Sequence, residues 1–258
     1  MISRKLIKLY YYLRYSTQYD EKLYLKKQNN LYEKNKLDRE IGVNTFGDLK
    51  NKYEILNTNM HSEHQIIFSA LSKSKEYKIN NILEIGTFDG TNAFLLSKLF
   101  PNAQILTLDL PAKSVDFKGI YNRKDDTVLK RLIKTRDEIL KLSKNINFLE
   151  KNSLQLLTEK NTFDLIWVDG AHGYPTASID IANAIRLCDE KGLIMCDDVF
   201  VEKIKNPDEI YYSNASIETI RALNNIFNFK FDLFYKRLNR KFNSIPYFRQ
   251  HIAFIKKQ

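Results

Sequence analysis

Two apolar runs in the second half of the sequence end in acidic side chains. Residues 163–168 lead into Asp169 and a glycine, with His172 three residues later, and residues 193–196 lead into Asp197 and Asp198. Carboxylates brought to one point at neutral pH repel each other unless a cation or protons lie among them. All-oxygen ligands suit a hard divalent ion, Mg²⁺ above all, with Mn²⁺ or Ca²⁺ as substitutes. The alternative is that the paired acids cap a turn or a helix and that Asp169 only contacts a cofactor.

A second stretch is typical of a nucleotide-binding turn. Residues 82–85 form a short apolar run around Glu84, Gly86 and Gly90 follow, and residues 92–99 continue with helical spacing. Glycines let the chain turn sharply and lie close to a ligand, and the new helix directs its free N–H groups into the same space. The next apolar run, 104–108, ends in Asp109, where the hydroxyls of a ribose would find a carboxylate. The alternative is an ordinary α/β turn without a ligand.

These side chains can meet only if the runs before them are neighbouring parallel strands. The apolar pattern predicts strands near 81–86, 104–109, 146–149, 163–168 and 191–196, with helices between them, which is the pattern of a doubly wound α/β sheet. The carboxyl ends of such strands share one edge, where open sheets bind ligands. Two further strand-like runs, 229–235 and 247–255, have no helix between them, and we expect them to pair antiparallel.

The turn at 84–90 resembles motif I of the class I S-adenosylmethionine-dependent methyltransferases, and Asp109 matches the acid that closes their second strand. The resemblance implies a seven-stranded, mainly parallel, Rossmann-like sheet with a C-terminal antiparallel hairpin. It implies S-adenosylmethionine as cofactor, with Glu84 near its methionine amino end and Asp109 at its ribose. Ser153 falls where family members contact the adenine. The full set of expected cofactor-binding residues is Glu84, Gly86, Thr87, Asp89, Gly90, Asp109, Ser153 and Asp169.

Residues 60–200 resemble, more narrowly, the metal-dependent O-methyltransferases that act on small hydroxylated molecules. The likeness rests on Asp169-Gly170-x-His172 followed by the acid pair. It implies Asp169, Asp197 and Asp198 as ligands of a divalent metal, with Mg²⁺ expected, and His172 as the general base, with Asp169 also a catalytic residue. Catechol- and caffeoyl-type members carry Asn second in the final pair and a lysine near the base. The sequence departs from that pattern, so we expect a sugar or another aliphatic diol as methyl acceptor.

Residues 1–57 differ from the rest of the chain and predict a helical arm or lid before a methyltransferase domain at 58–258. Apolar residues recur at helical spacing from Ile2 to Leu13, which indicates one or two helices outside the sheet. The arm can serve as a lid, as a homodimer contact or as a membrane contact. Ser62 and Gln65 form a capping-box pattern, and the histidines beside them, His61 and His64, can cap the helix or contact substrate. The long connection 111–127 is the expected substrate-facing lid.

Composition narrows the function classes. The formal net charge of +10 fits nucleic acid, an anionic membrane or an acidic substrate, but the lysines are spread along the whole chain. The place where base-amine methyltransferases carry an Asn/Asp-Pro-Pro-aromatic segment reads Asp169-Gly170 here, without prolines, which argues against a nucleic-acid methyltransferase. A non-catalytic cofactor-binding protein is the remaining alternative. Cys188 and Cys196 predict reduced, buried thiols, and the absence of a signal-peptide core or membrane-length apolar run predicts a cytoplasmic protein.

Overall fold

The N-terminal arm consists of three helices. The computed structural model describes residues 4–58, 62–119, 123–204 and 213–257. The arm helices are α1 (Arg4–Tyr15), α2 (Glu21–Lys34) and α3 (Arg39–Lys52). The carboxylates of Asp20 and Asp38 accept hydrogen bonds from the first-turn N–H groups of α2 and α3, so local capping sets where both helices begin. The prediction of a helical arm is confirmed, with one helix more than expected.

The rest of the described chain mostly alternates between strands and helices, but a short 3₁₀ turn (Ser153–Thr158) takes the place of the helix predicted between the third and fourth strands. The strands are β1 (Asn81–Ile85), β2 (Gln104–Asp109), β3 (Ile146–Glu150), β4 (Phe163–Val168), β5 (Cys188–Phe200), β6 (Lys230–Tyr235) and β7 (Gln250–Lys256). The helices are α4 (Glu63–Lys73), α5 (Thr91–Leu99), α6 (Val115–Gly119), α7 (Asp126–Leu140), α8 (Thr176–Leu187), α9 (Ala215–Phe227) and α10 (Arg240–Asn243). Every predicted strand is present within a few residues.

The seven strands form one sheet in the order β3-β2-β1-β4-β5-β7-β6. The first five strands pair in parallel, and β7 lies between β5 and β6, antiparallel to both. This arrangement confirms the predicted fold class. Because the chain steps outward from β1 in one direction and then returns to β4 on its other side, the topological switch point lies between β1 and β4. A ligand site is expected at the carboxyl ends of these two strands.

Apolar side chains cover both faces of the sheet, and the arm supplies part of one cover. Trp167 on β4 packs against Phe68 of α4 on one face, while Ile181 and Ile185 of α8 belong to the cluster on the other face. Tyr32 of α2 is fully buried in the first cluster. Helices α2 and α3 are therefore part of the core, whereas α1 leaves a row of large apolar residues exposed: Leu6, Leu9, Tyr10 and Leu13. The boundary at residue 57 and the homodimer remain predictions.

Two segments differ from the sequence-based expectation. The 111–127 segment contains the short helix α6 and ends inside α7, so the described part of it is more regular than a loop; residues 120–122 lie outside the described residues, as does His61. Strand β5 spans Cys188–Phe200 and so begins before, and ends after, the strand predicted at 191–196. Both cysteines are buried free thiols, as predicted. None of the helices within the described ranges is long and apolar enough to cross a lipid bilayer.

Candidate active site

The site begins at the turn between β1 and α5, where Gly86 lies against the main chain that follows β4. Gly86 has a φ of 101°, and a Cβ at this position would be 2.2 Å from the carbonyl oxygen of Asp169. The Asp169 N–H donates to the carbonyl of Ile85 at 2.9 Å. Sequence reasoning attributed this glycine to the close approach of a ligand. The structure shows a different neighbour, because the missing side chain lets the first and fourth strands bring their acidic turns together.

The polar side chains of the same turn bond mainly to the protein itself. The Thr87 side chain is buried, with its hydroxyl 2.6 Å from that of Thr107. The carboxylate of Asp89 accepts a hydrogen bond from the Thr91 N–H at the start of α5, at 3.0 Å. Gly90, with a φ of 82°, turns the chain into that helix. Both Thr87 and Asp89 therefore shape the turn, and their predicted cofactor contacts remain untested.

Glu84 is a fully buried carboxyl group at the end of β1. It accepts hydrogen bonds from the Thr107 hydroxyl at 2.5 Å and from the Asn92 amide at 2.7 Å. Burial raises the pKa of Glu84 to about 7, although both hydrogen bonds oppose the shift. The amide oxygen of Asn92 is buried and accepts no hydrogen bond from the described residues. An acceptor without a donor beside a carboxyl group fits the amino end of a bound methionine moiety, as predicted for Glu84.

Asp109 ends β2 with its carboxylate fixed by main-chain donors. The N–H groups of Phe88 and Leu110 donate to its two oxygens at 3.0 and 2.8 Å. Burial raises the pKa of Asp109 while these two bonds lower it. Each carboxylate oxygen keeps a second lone pair for a ligand hydroxyl, so Asp109 fits the expected ribose contact.

Ser153 lies in the 3₁₀ turn Ser153–Thr158 that follows β3. Its neighbour on α8 is Asp180, a fully buried acid beneath the Gly170 turn that sequence reasoning missed. Burial raises the pKa of Asp180 to about 6, and the Ser153 hydroxyl partly lowers it.

Arg123, from the 111–127 connection, lies over the Phe117 ring and lines a cavity of about 260 Å³ beside Phe88 and α7.

The paired acids reach a common point because β5 contains a bulge. Between Cys196 and Val199 the strand has one residue more than the facing stretch of β7. Asp198 occupies this bulge with a φ of 51°, in the left-handed region that Asp tolerates better than most residues. Adjacent side chains of a regular strand point to opposite faces. The bulge instead brings the carboxylates of Asp197 and Asp198 to one partner.

That partner is Lys236, the residue that follows β6. Its ammonium group donates to Asp197 Oδ2 at 2.5 Å and to Asp198 Oδ1. Because β7 lies between β5 and β6, the side chain of Lys236 reaches across a whole strand. Burial lowers the pKa of Lys236, but the neighbouring carboxylates raise it by more than burial lowers it. The group therefore stays an ammonium. Sequence reasoning missed this residue, because nothing local distinguishes it among 41 lysines and arginines.

His172 lies between the two acidic turns. Its Nε2 atom is 3.8 Å from Asp169 Oδ1 and 3.6 Å from Asp198 Oδ2, and its side chain is 9% exposed. Both distances are longer than a hydrogen bond. The prediction that Asp169, His172 and the acid pair meet at one edge is thus borne out in space, although their roles are untested.

The electrostatic balance of the acids is uneven. Burial and the neighbouring Asp197 raise the pKa of Asp169 well above its usual range. Burial also raises the pKa of Asp197, but the ammonium of Lys236 outweighs it and holds the pKa at about 2. His64 of α4 borders the same region, packed on Trp167 at 5.0 Å between ring centroids; burial lowers its pKa to about 4. The cluster therefore combines an ionised Asp197, held by Lys236, with a neutral imidazole at His64.

The arrangement does not fit a divalent metal. The carboxylates offer hard oxygen donors of the right kind, yet the Lys236 ammonium lies where an ion shared by Asp197 and Asp198 would bind. Within the described ranges, no group of three or more His, Cys, Asp or Glu side chains is arranged to hold a metal ion. The predicted metal ligands are therefore close together but already neutralised in part by a cation of the protein.

One family profile matches the central part of the sequence. The sequence profile of a family described as a methyltransferase domain matches residues 83–199, from β1 to β5. A search of curated proteins gave no match.

Several solved structures are similar to this chain. An O-methyltransferase from Streptomyces achromogenes involved in tomaymycin synthesis is 12% identical, with 90% of this chain and 98% of that chain covered and a TM-score of 0.49. An SAH-bound methyltransferase from Podospora anserina is 16% identical, with 84% and 88% covered and a TM-score of 0.47. An O-methyltransferase family protein from Burkholderia thailandensis is 12% identical, with 84% and 71% covered and a TM-score of 0.47.

Proposed function

We propose that the protein transfers the methyl group of S-adenosylmethionine to a hydroxyl group of a small molecule, such as a sugar or another diol. The match of residues 83–199 to the profile of a methyltransferase domain supports methyl transfer as the type of reaction. The observation that carries the proposal is the position of His172, buried between Asp169 and Asp198 at the carboxyl edge of the sheet. An imidazole there is placed to accept the proton of an incoming hydroxyl.

The need for a base follows from the chemistry of the acceptor. An aliphatic hydroxyl is a poor nucleophile until it loses its proton, and general-base catalysis contributes about 10²–10⁴-fold to such reactions. When bound, S-adenosylmethionine would supply an activated methyl group, whose bond to sulfur breaks as the bond to the acceptor oxygen forms, with S-adenosylhomocysteine as the leaving group. The protein orients the attacking oxygen, and His172 accepts its proton at Nε2. The carboxylate of Asp198 then faces the imidazolium and stabilises its charge.

The cofactor residues support the same proposal. Asp109 presents a carboxylate fixed by two main-chain N–H groups. The amide oxygen of Asn92, to which no described residue donates, belongs to the side chain that bonds to Glu84. These two points sit at the ends of β2 and β1, on the two sides of the Gly86 turn. They match the separate needs of a ribose and of an amino group.

Metal dependence is the part of the prediction that the geometry supports least. The resemblance implies Mg²⁺ held by Asp169, Asp197 and Asp198, whereas Lys236 already bonds to two of these acids. No step of the proposed reaction therefore involves a metal. A nucleic-acid acceptor and a non-catalytic role have no specific observation in their favour, and both serve as outcomes of the test.

The test measures cofactor binding and turnover separately. Calorimetric titration with S-adenosylhomocysteine should show one binding site on the wild type and on His172→Gln alike. Methyl transfer to a panel of sugars and diols should fall about 100-fold or more in His172→Gln. The control His251→Gln removes another buried histidine, which packs on Tyr235 instead of the acids. Absence of S-adenosylhomocysteine binding, or unchanged turnover in His172→Gln, would contradict the proposal; salt-sensitive RNA binding would favour a nucleic-acid acceptor.

A further inference from the structure

The ammonium of Lys236 lies at the point where a cation shared by Asp197 and Asp198 would bind. It donates to one oxygen of each carboxylate. The Lys236 side chain is 8% exposed and that of Asp197 4%, so bulk water does not replace the ammonium as the partner of these acids. A buried charge needs a paired charge or a metal. Here the chain itself supplies that charge.

The main chain holds Lys236 in place on both sides. Its N–H donates to the carbonyl of Gln250 on β7 at 3.1 Å, and its carbonyl accepts from the Glu63 N–H at the start of α4 at 2.9 Å. The backbone at Lys236 is thus bonded both to the sheet and to a helix N-terminus. The ammonium can leave the acids only by rotation of a buried side chain, which would leave Asp197 without its counter-charge.

We propose that Lys236 is the resident cation of the acid pair and replaces the divalent metal that the resemblance implies. By bonding to Oδ1 of Asp198, it leaves Oδ2 of the same carboxylate facing Nε2 of His172 at 3.6 Å. Lys236 is therefore a positioning residue that acts on His172 through Asp198. The statement about the cation stands on geometry alone, and its consequence for turnover rests on the proposed function.

A lysine and a divalent ion exclude each other at this point. Mg²⁺ binds carboxylate oxygens at about 2.0–2.1 Å, so an ion shared by Asp197 and Asp198 would lie within a few ångströms of the Lys236 nitrogen. Like charges at that separation in a buried site repel strongly. Removing the ammonium should leave two buried carboxylates that accept a divalent ion in its place.

The experiment titrates chelator-treated protein with Mn²⁺ and follows free and bound ion by electron paramagnetic resonance. The wild type should bind no Mn²⁺ at this site below about 1 mM, whereas Lys236→Ala should bind one ion at least about 100-fold more tightly. Adding Asp197→Asn to Lys236→Ala should abolish the new site. The control Lys34→Ala removes a lysine paired with Asp232 of β6, outside the cluster, and should behave as the wild type.

A turnover measurement on the same samples tests the positioning role. The wild type should keep its activity in a chelator, and Lys236→Ala should lose activity without metal and regain part of it with Mg²⁺, which a purely structural role would not produce. If Lys236→Ala does not fold, Lys236→Gln replaces it, and the wild-type titration decides the question in any case.

Two outcomes overturn the proposal. One is a wild type that binds one Mn²⁺ at micromolar concentration and loses it in Asp197→Asn. The other is a folded Lys236→Ala that gains no Mn²⁺ site. Titration with S-adenosylhomocysteine on the same proteins separates the two proposals: if it shows no cofactor binding while the Mn²⁺ results are as expected, the proposed function fails and the assignment of Lys236 stands.

Discussion

Replacing Gly86 by alanine should destabilise the protein and weaken cofactor binding, because the turn has no room for a side chain. The added Cβ would lie 2.2 Å from the carbonyl oxygen and 2.7 Å from the carbonyl carbon of Asp169. Main-chain atoms cannot rotate away as a flexible side chain can. The variant must therefore push the turn after β4 away from β1, which breaks the Asp169 N–H bond to Ile85.

The expected magnitude has two parts. A residue other than glycine at a φ of 101° costs about 1–2 kcal/mol. Forcing an extra methyl group into a filled space typically costs about 1–3 kcal/mol. Gly86→Ala should therefore lower the free energy of unfolding by about 2–5 kcal/mol. Since the displaced turn carries Asp169 and adjoins Glu84, affinity for S-adenosylhomocysteine should fall about tenfold or more.

Urea unfolding followed by tryptophan fluorescence measures the effect directly. The chain has one tryptophan, Trp167, fully buried on β4 two residues before Asp169. The matched control is Gly47→Ala on α3, where no described atom lies within 4 Å of the added Cβ. It should leave stability unchanged or raise it by up to about 1 kcal/mol. A loss below about 1 kcal/mol for Gly86→Ala, at an unchanged slope with urea, would refute the reasoning.

Two further predictions concern the buried carboxyl groups. The pKa of Glu84 is about 7 in the folded protein against an ordinary 4.5, so folding favours its protonated form. The free energy of unfolding should therefore fall by about 3 kcal/mol as the pH rises from 4.5 to 7, and this contribution should stay constant at higher pH. Glu84→Gln should lack this fall in denaturation curves at pH 5 and pH 8, and identical curves for both proteins would disprove it. Asp109→Ala should weaken S-adenosylhomocysteine binding about tenfold or more. The control Asp164→Ala removes a carboxylate that also accepts from two main-chain N–H groups, but at the opposite edge of the sheet, and should leave binding unchanged. Equal effects of both variants on the calorimetric affinity would contradict the ribose assignment.

The regular part of the fold was predictable because its signals are local. Each strand is a short apolar run bounded by turn residues. A single helix of ordinary length joins β1 to β2 and β4 to β5. The hairpin of β6 and β7 could be inferred because no helix separates the two runs. Asp109, Asp169 and the acid pair could be placed at one edge for the same reason, since parallel strands end together.

Other features depend on contacts between residues far apart in the chain. Tyr32 is buried because it packs on Phe234 of β6 and bonds to Glu63 at the start of α4, and α3 packs on α4 with Gly42 against Ile66. No periodicity in the first 57 residues reveals these contacts. The contact of Gly86 with the main chain of Asp169 could not be predicted for a similar reason, since Asp169 is 83 residues further along the chain. Asp180 escaped notice because its helix has an ordinary amphipathic pattern.

The sequence by itself determined the type and order of the elements, the sheet edge that carries the acids, and the resemblance to methyltransferases, which agrees with the methyltransferase-domain profile matched at residues 83–199. Only the tertiary structure decided what neutralises those acids. The bulge at Asp198 turns two adjacent carboxylates towards one point, and Lys236 reaches that point across β7. The local alternation of apolar and polar residues shows which side chains of a strand are buried. The contacts of Lys236 with Asp197 and Asp198 join side chains 39 and 38 residues apart and depend on the register of the strands. That register is set only when the whole sheet assembles.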